Sequence, residues 1–407
     1  MKTTMVIPSY WRRERALADR ETDIVYDHPT PVDQEGTLAR ALESISILED
    51  RDFDLVIIAV SNASDVESQV EEKVAEIIAA SPVDVPVYLF SHSHLREVRS
   101  LLKEAGGEEY QELLDLAGYS NIHNLCLFIP HIFDAEIAVL IDDDEIFEDP
   151  QFMKKAREFI GKKSDSDFIG VVAGYYLQPD GNWRLERERK PWMMYWDKVD
   201  RMNEAFEVII GRGPRLKETP FVFGGNMVVH REIFRMIPFD SQVTRGEDID
   251  YLINMRMNGC KIFLDNTLAI KHLPPPKSHP TWKQLREDIY HFVREREKLR
   301  SQEHRDNMVT VFAEDLDPYP GAFLKDDLEQ KVADACRVLA NTYRSEGAEK
   351  DEIETVFNIE IAENEAATEG KSFKGFMELQ EKWREMILLT DREEVRTKLR
   401  EVMADGI

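Results

Sequence analysis

Continuously apolar, β-rich runs alternate with segments in which apolar residues recur every three or four positions over the first third of the chain. Thr3 to Ile7 reads as a strand that breaks at Pro8, and Leu38, Ala41, Leu42, Ile45 and Leu48 follow at helical spacing. Asp54 to Val60 is apolar without alternation, as expected of a strand covered on both faces. Asp65 stands where it would cap a helix carrying Val66, Val70, Val74, Ile77 and Ile78. Val85 to Phe90 predicts a third strand, Ile122 to Ile132 a helix and Glu136 to Ile141 a fourth strand. Strands and helices in this order predict right-handed βαβ units and an α/β fold built on a parallel, doubly wound sheet. Such sheets bind ligands at the carboxyl ends of their strands. Those ends carry Pro8-Ser9-Tyr10, Ser61-Asn62 and Asp142-Asp143-Asp144.

Beyond Pro150 the pattern changes. Phe168 to Leu177, the turn Pro179-Asp180-Gly181 and Trp183 to Leu185 predict a hairpin, and Phe221 to His230 a strand interrupted by Gly224-Gly225. Pro274-Pro275-Pro276 cannot be helical and marks a boundary. Helical stripes follow: Trp282, Leu285, Ile289, Phe292 and Leu299; Leu328, Val332, Ala335 and Leu339; then Phe376, Leu379, Trp383 and Met386. Thr390 with Glu393 fits a capping box that opens a last helix with Val395, Leu399 and Val402. The first stripe is too apolar to face water, so the helical region is expected to pack on the domain before it.

Charge removes several function classes. The 407 residues hold 52 Lys plus Arg against 79 Asp plus Glu, a formal net charge of −27. That balance argues against wrapping nucleic acid or lying on an anionic membrane, since either needs a basic face. No apolar run reaches the ~20 residues of a membrane span, no signal-peptide core opens the chain, and the cytoplasm is the expected compartment. Cys126, Cys260 and Cys336 are too few and too scattered for a disulfide framework or a zinc site.

Against this background the acidic strand end stands out. Asp142 and Asp144 alternate to one side of an extended chain, where two carboxylates can grip one hard divalent cation or the diphosphate bound to it. About a hundred residues on, Gly246-Glu247-Asp248 opens a helix, where the dipole favours charged carboxylates. Gly224-Gly225-Asn226 permits a close backbone approach to a ligand, and His272 closes the run Thr267 to Ile270 just before the prolines.

Taken in order, VIPSYWRR, GYSNIHN, LIDDDEIFEDP, FGGNMVVHREIF and RGEDIDYLINMRMNGCKIFLDNTLAIKH resemble the GT-A glycosyltransferases of family 2, with its chondroitin-polymerase-like and galactosyltransferase-like branches. The resemblance runs from Met5 to about His279. It implies a Rossmann-like GT-A domain over residues 1–279, with 280–407 a helical C-terminal domain outside it. By the same resemblance Asp142 and Asp144 are the metal-binding pair, completed by His272, with Mn²⁺ or Mg²⁺ as cofactor. Pro8, Ser9, Tyr10, Arg13, Ser61, Asn62, Asn124, Asp142, Asp143 and Lys277 would bind the nucleotide sugar. Gly224, Gly225 and Asn226 would meet the acceptor, Asp248 would be the catalytic base and Glu247 would orient the reacting groups. Ser61-Asn62 replaces the Asp that often meets the base in relatives, and His123 stands where relatives often carry Arg. The donor is therefore either a UDP- or a GDP-sugar.

The activity so implied is metal-dependent transfer of a sugar to a saccharide or small hydroxylated acceptor, inverting, with a retaining mechanism as the alternative. Transfer of a nucleotide to a sugar phosphate is disfavoured, because the first strand ends in Pro-Ser-Tyr-Trp and not in a Gly-rich phosphate loop. Neither a nucleic acid nor a membrane is an expected partner, and a homo-oligomer is compatible with the sequence. A non-catalytic scaffold would be expected to have lost Asp144, Asp248 or His272, and all three are present.

Overall fold

The computed structural model describes residues 1–17, 20, 23–164, 167–275, 279–366 and 372–404. Its centre is a mixed sheet. In chain order the main elements are β1 (Thr3–Arg12), α1 (Leu38–Ile45), β2 (Asp54–Ser61), α2 (Glu67–Ala80), β3 (Val87–Phe90), α3 (His92–Glu104), α4 (Tyr119–Ile132) and β4 (Ile137–Ile141). There follow α5 (Phe152–Phe159), β5 (Val171–Leu177), α6 (Lys198–Ile209), β6 (Leu216–Glu218), β7 (Asn226–His230), α7 (Glu247–Met257) and β8 (Ile262–His272). The chain ends in α8 (Thr281–Arg300), α9 (Leu328–Glu346), α10 (Glu349–Ala366), α11 (Ser372–Thr390) and α12 (Glu393–Ala404).

Across the sheet the order is β6-β8-β5-β7-β4-β1-β2-β3. The half β4-β1-β2-β3 is parallel, while β7 runs antiparallel to both of its neighbours. Alternation along the strands divides the core in two. Met5, Ile7, Leu55, Ile57 and Val139 face α1, α2 and α5. Val6, Val56, Ile58 and Leu140 face α3, α4 and the C-terminal helices in one continuous cluster that extends to Met403. Among the described residues no helix is long and apolar enough to cross a membrane.

Several local expectations are corrected. β1 does not stop at Pro8 but pairs with β2 through Trp11, opposite Ser61. Its pairing with β4 ends at Val6, so Pro8 lies where one neighbour is gone and a missing N–H is tolerated. Asp65 caps nothing: it accepts hydrogen bonds from Arg13, and α2 begins after a short 3₁₀ turn. The turn at Gly181 forms, but Trp183 to Leu185 makes no strand; both edges of β5 are taken instead by β7 and β8. Thr390 is the last residue of α11, and its buried hydroxyl bonds backward to Met386 O and to His131 Nε2.

Two helices carried no readable stripe. α3 is capped by Ser91 and buries His94 beside Leu95, Val98 and Leu102. α10 mixes the usual polarity, burying Thr355 and Asn358 along with Ile361 and Ala362 while Ile353, Val356 and Phe357 are exposed. Asn358 accepts from Arg286 Nε at 2.7 Å and donates to Trp282 O at 2.9 Å. Trp282 itself donates to Asp351 on α10, so it faces the neighbouring helix, whereas Ile289 and Phe292 fill the core.

Candidate active site

The parallel half of the sheet reverses its order between β1 and β4, the place where open α/β sheets bind ligands. A cleft of about 460 Å³ opens there. Past Ile141 the chain turns through Asp142, Asp143 and Asp144, and the short strand Glu145–Ile146 then pairs with the end of β8. That register sets Glu145 opposite His272, and Leu273 N donates to Asp144 O. In this way His272 Nε2 comes within 3.4 Å of Asp144 Oδ2, although the two are far apart in sequence.

Asp142 lies against the Gly224-Gly225 turn that leads into β7. A Cβ on Gly225 would come 2.3 Å from Asp142 Oδ2, so only glycine fits. Gly225 N donates to Tyr176 Oη at 2.9 Å, and the Tyr176 ring stacks on His272 with centroids 4.9 Å apart. Asp143 is drawn back onto β1, accepting from Ser9 Oγ at 2.6 Å. Among the described residues the cluster is only partly compensated, by His272. Burial, and after it the charge of Asp144, pushes Asp142 up to about 7 and Asp143 up to about 8. Burial also holds Glu145 well above the usual carboxyl range, with Asp142 and Asp144 adding to it.

On the opposite wall Gly246, in the left-handed region at φ 73°, starts α7 and presents Glu247 and Asp248 to the cleft. Burial raises both carboxyls, and Asp248 raises Glu247 further. His123 rises from α4, with Nδ1 3.0 Å from Tyr119 O and Nε2 toward Gly224. Burial pulls its pKa down to about 4, so it is a neutral ring here. The cleft thus joins Tyr10, Asp142, Asp143, Asp144, Gly224, Gly225, Glu247, Asp248 and His272.

Other expected site residues are elsewhere. Asn124 is buried and ties α4 to Phe239, donating to its carbonyl at 3.0 Å and accepting from its N–H at 2.8 Å. Asn226 is buried and donates to Tyr175 O and Leu268 O, which puts its side chain inside the sheet and not toward an acceptor. Pro8 and Ser9 are buried in β1, and Ser9 also accepts from Trp11 Nε1. The Arg13 guanidinium is committed to Asp23 and Asp65. Ser61 Oγ pairs with His92 Nε2 at 3.2 Å. Lys277 lies outside the described residues.

Asn62 lines a second cavity of about 400 Å³, which meets the cleft at Asp27 and His28. Arg12, Arg15, Arg20 and Lys283 line this cavity together with Asp23 and Asp27, and Asn62 Oδ1 is buried with no hydrogen-bond partner among the described residues. Sequence reasoning missed these basic residues, and it missed Asp288, His291 and Tyr319, which the helical region contributes to the first cleft. The only signal for Asp288 and His291 was polar residues at helical spacing between the apolar positions of α8, and Tyr319, in the segment before α9, carried none.

Among the described residues no three His, Cys, Asp or Glu side chains converge as a ready-made cation cage. What the strand end offers is an open pair, Asp144 with His272, beside a carboxylate cluster for which His272 is the one basic group that lowers the Asp142 pKa among the described residues. One oxygen and one imidazole ligand suit a divalent ion whose other positions are filled by water or substrate oxygens.

A family model described as Glycosyltransferase like family 2 matches residues 52–290, more than half of the chain, and the chain belongs to that family. It is accordingly a glycosyltransferase of the GT-A type, an enzyme that takes its sugar from a nucleotide donor. Among solved structures, it is similar to the mannosyltransferase PcManGT from Pyrobaculum calidifontis in complex with GDP-Man and Mn²⁺. That likeness has 13% identity and a TM-score of 0.47 and covers 97% of this chain and 87% of the other. A structure of GalNAc-T7 with UDP, GalNAc and Mn²⁺ is similar at 12% identity and a TM-score of 0.34, over 73% of this chain and 51% of that one. A mycobacterial protein is similar at 14% identity and a TM-score of 0.39, over 72% of each chain. No curated protein matches by sequence.

Proposed function

We propose that the protein moves a sugar from a nucleoside diphosphate sugar, held through Mn²⁺ or Mg²⁺, to a hydroxyl of a saccharide or small hydroxylated acceptor, with inversion. The observation that carries this reading is the partly compensated Asp142–Asp144 strand end with His272 beside Asp144, open to a cleft that continues into a basic cavity. The cavity suits the nucleotide: Arg12, Arg15, Arg20 and Lys283 match an anionic ligand, and Asn62 Oδ1 is free to accept from a base N–H. Asp144 and His272 would hold the cation, which when bound supplies Lewis-acid charge to the leaving diphosphate.

The acceptor hydroxyl would enter across Gly224 and Gly225, where the missing side chains leave room between Asp142 and Asp248. Its oxygen forms the new bond to the anomeric carbon as the bond from that carbon to the phosphate oxygen breaks, and the electron pair leaves with the nucleoside diphosphate. The hydroxyl proton goes to Asp248, with Glu247 orienting the sugar or acceptor. The donor base is the part of the reading that Asn62 bears on, since an amide can meet either uracil or guanine.

Calorimetric titration with UDP and with GDP, in Mn²⁺ and in EDTA, tests the reading. Binding of one nucleotide is expected to weaken at least tenfold in EDTA and equally in Asp144→Ala. Equal affinity with and without the metal would remove the cation from this site. The anomeric configuration of the product by NMR separately decides inversion.

A further inference from the structure

Helix α8 buries two adjacent faces. One is apolar, through Leu285, Ile289 and Phe292. The other carries Asp288, His291, Glu295 and Lys298, three or four residues apart and therefore stacked along one side. Lys298 is fully buried, pairing with Asp250 and, at 2.9 Å, with Asp240, so it fixes α8 to the middle of α7. Nearer the cleft, His291 Nδ1 is hydrogen-bonded with Glu295 Oε1 at 3.1 Å, and its Nε2 lies 3.8 Å from Asp288 Oδ1. Asp288 in turn meets Lys198 Nζ of α6 at 2.8 Å.

The His291 ring rests on the turn that starts α7. A Cβ on Gly246 would come 2.8 Å from both Cγ and Nδ1 of His291, so the glycine makes room for the imidazole. Glu247 and Asp248 follow immediately, and His291 lines the same cleft as they do. We propose that His291, clamped between Asp288 and Glu295, is a positioning residue that seats the Gly246 turn and thereby aims the Asp248 carboxylate into the cleft. The inference rests on the reading of Asp248 as the base.

The charged and titratable groups around His291 include Asp288, Arg294 and Glu295 on its own helix, Lys198 from α6, Arg245 just before the Gly246 turn, Glu247 and Asp248 from α7, and Tyr319 from the segment before α9. Burial opposes its protonation, but the charges of Glu295 and Asp288 outweigh that and raise its pKa. Protonated, the imidazole would join Lys198 in offsetting part of the burial that raises Asp248. Loss of the imidazolium should therefore raise the pKa of Asp248 and make the base protonate at higher pH.

His291→Gln keeps a hydrogen-bonding side chain without the charge, and His291→Lys keeps the charge without the ring. The assay is the pH profile of turnover with whichever UDP- or GDP-sugar the wild type hydrolyses, alongside nucleotide affinity by calorimetry. For His291→Gln we expect unchanged nucleotide affinity, a loss in turnover of ~10-fold or more at neutral pH, and an acidic limb moved up by about one pH unit. His291→Lys should return the limb toward the wild-type position. Should His291→Gln not fold, His291→Asn sets its amide nearer the place of Nδ1 and removes the same charge, and is expected to move the limb in the same direction. An unmoved limb and wild-type turnover in the folded variant overturn the inference. Asp248→Asn separates the two readings: normal turnover there removes the base itself, whereas an inactive Asp248→Asn beside an unaffected His291→Gln removes the positioning role alone.

Discussion

Two sets of buried carboxylates lie on either side of α7, and they are solved in opposite ways. At the end of β4, Asp142, Asp143, Asp144 and Glu145 crowd together, with His272 the nearest basic group among the described residues named at the site. Between α7 and α8, Asp240 and Asp250 enclose Lys298, and Asp288 is held by Lys198. In the seam, charges of both signs come from the chain itself, so burial is offset in part within the protein: Lys298 keeps Asp240 below the ordinary carboxyl range although burial acts against it, whereas at Asp250 burial outweighs the same cation and the carboxyl is raised. At the strand end the described residues supply only His272 against four carboxyls, and Asp142 and Asp143 are pushed up to about 7 and about 8. The contrast distinguishes a structural ion cluster from one that keeps its electrostatic demand for a ligand.

The largest test lies at the wall between the two sets. Asp248→Asn keeps shape but cannot take a proton at neutral pH, so turnover should fall by about 10² to 10⁴, roughly 3 to 5 kcal/mol in barrier, while nucleotide affinity stays near wild type. Retained turnover would mean that no base acts there, and a retaining mechanism would become the better reading.

Lys298→Met probes the seam. Leaving Asp240 and Asp250 buried without their cation should cost about 3 to 5 kcal/mol in denaturant unfolding. Adding Asp250→Asn to that variant should recover part of the loss. If Lys298→Met is as stable as wild type, the seam is not a compensated cluster and the contrast breaks.

A smaller effect follows from the strand end. Native Asp142 and Asp143 hold protons up to about pH 7 and 8 that an unfolded chain releases near its ordinary value of about 3.9. The native state then binds more protons than the unfolded one over that window, so this cluster lowers stability as pH rises from about 4 to 8. Compared in EDTA, wild type should lose more melting temperature between pH 5.5 and 8 than Asp144→Asn, whose like charge is gone. Mn²⁺ should narrow the gap, and identical pH slopes in the two proteins would contradict the assignment.

The smallest effect is expected for Ser9→Ala. It deletes the donor to Asp143 and leaves the Trp11 indole N–H unpaired, at a cost of about 1 to 3 kcal/mol in unfolding and little change in nucleotide affinity. A large loss of affinity would move Ser9 back into the nucleotide site.

How far the sequence could be read depends on whether a residue's partner was local. β2 and β4 were legible because unbroken apolar runs of that length have few alternatives to a doubly covered strand. The acidic triplet and the Gly-Glu-Asp helix start were legible because carboxylates at element ends are costly without a purpose. Asn124 and Asn226 sit inside the same motifs, yet their amides bond to backbone carbonyls distant in sequence, Phe239 for one and Leu268 for the other. An asparagine at a ligand and an asparagine that ties two segments look alike in a string of letters. α10 was invisible for a related reason, since its buried polar face answers Arg286 and Trp282 on another helix.

By itself, then, the sequence determined the parallel core, the position of the acidic strand end and the helical character of the last third, because periodicity and element ends are local properties. Only the tertiary structure decided that β7 enters the sheet antiparallel between β4 and β5 and carries the Gly224-Gly225 turn to Asp142. It also decided that the pairing of Glu145–Ile146 with β8 brings His272 to Asp144, and that α8 turns a charged face to Gly246. Each of these depends on register and on which buried charges find partners across the core, and those energies exist only between segments that the chain must first bring together.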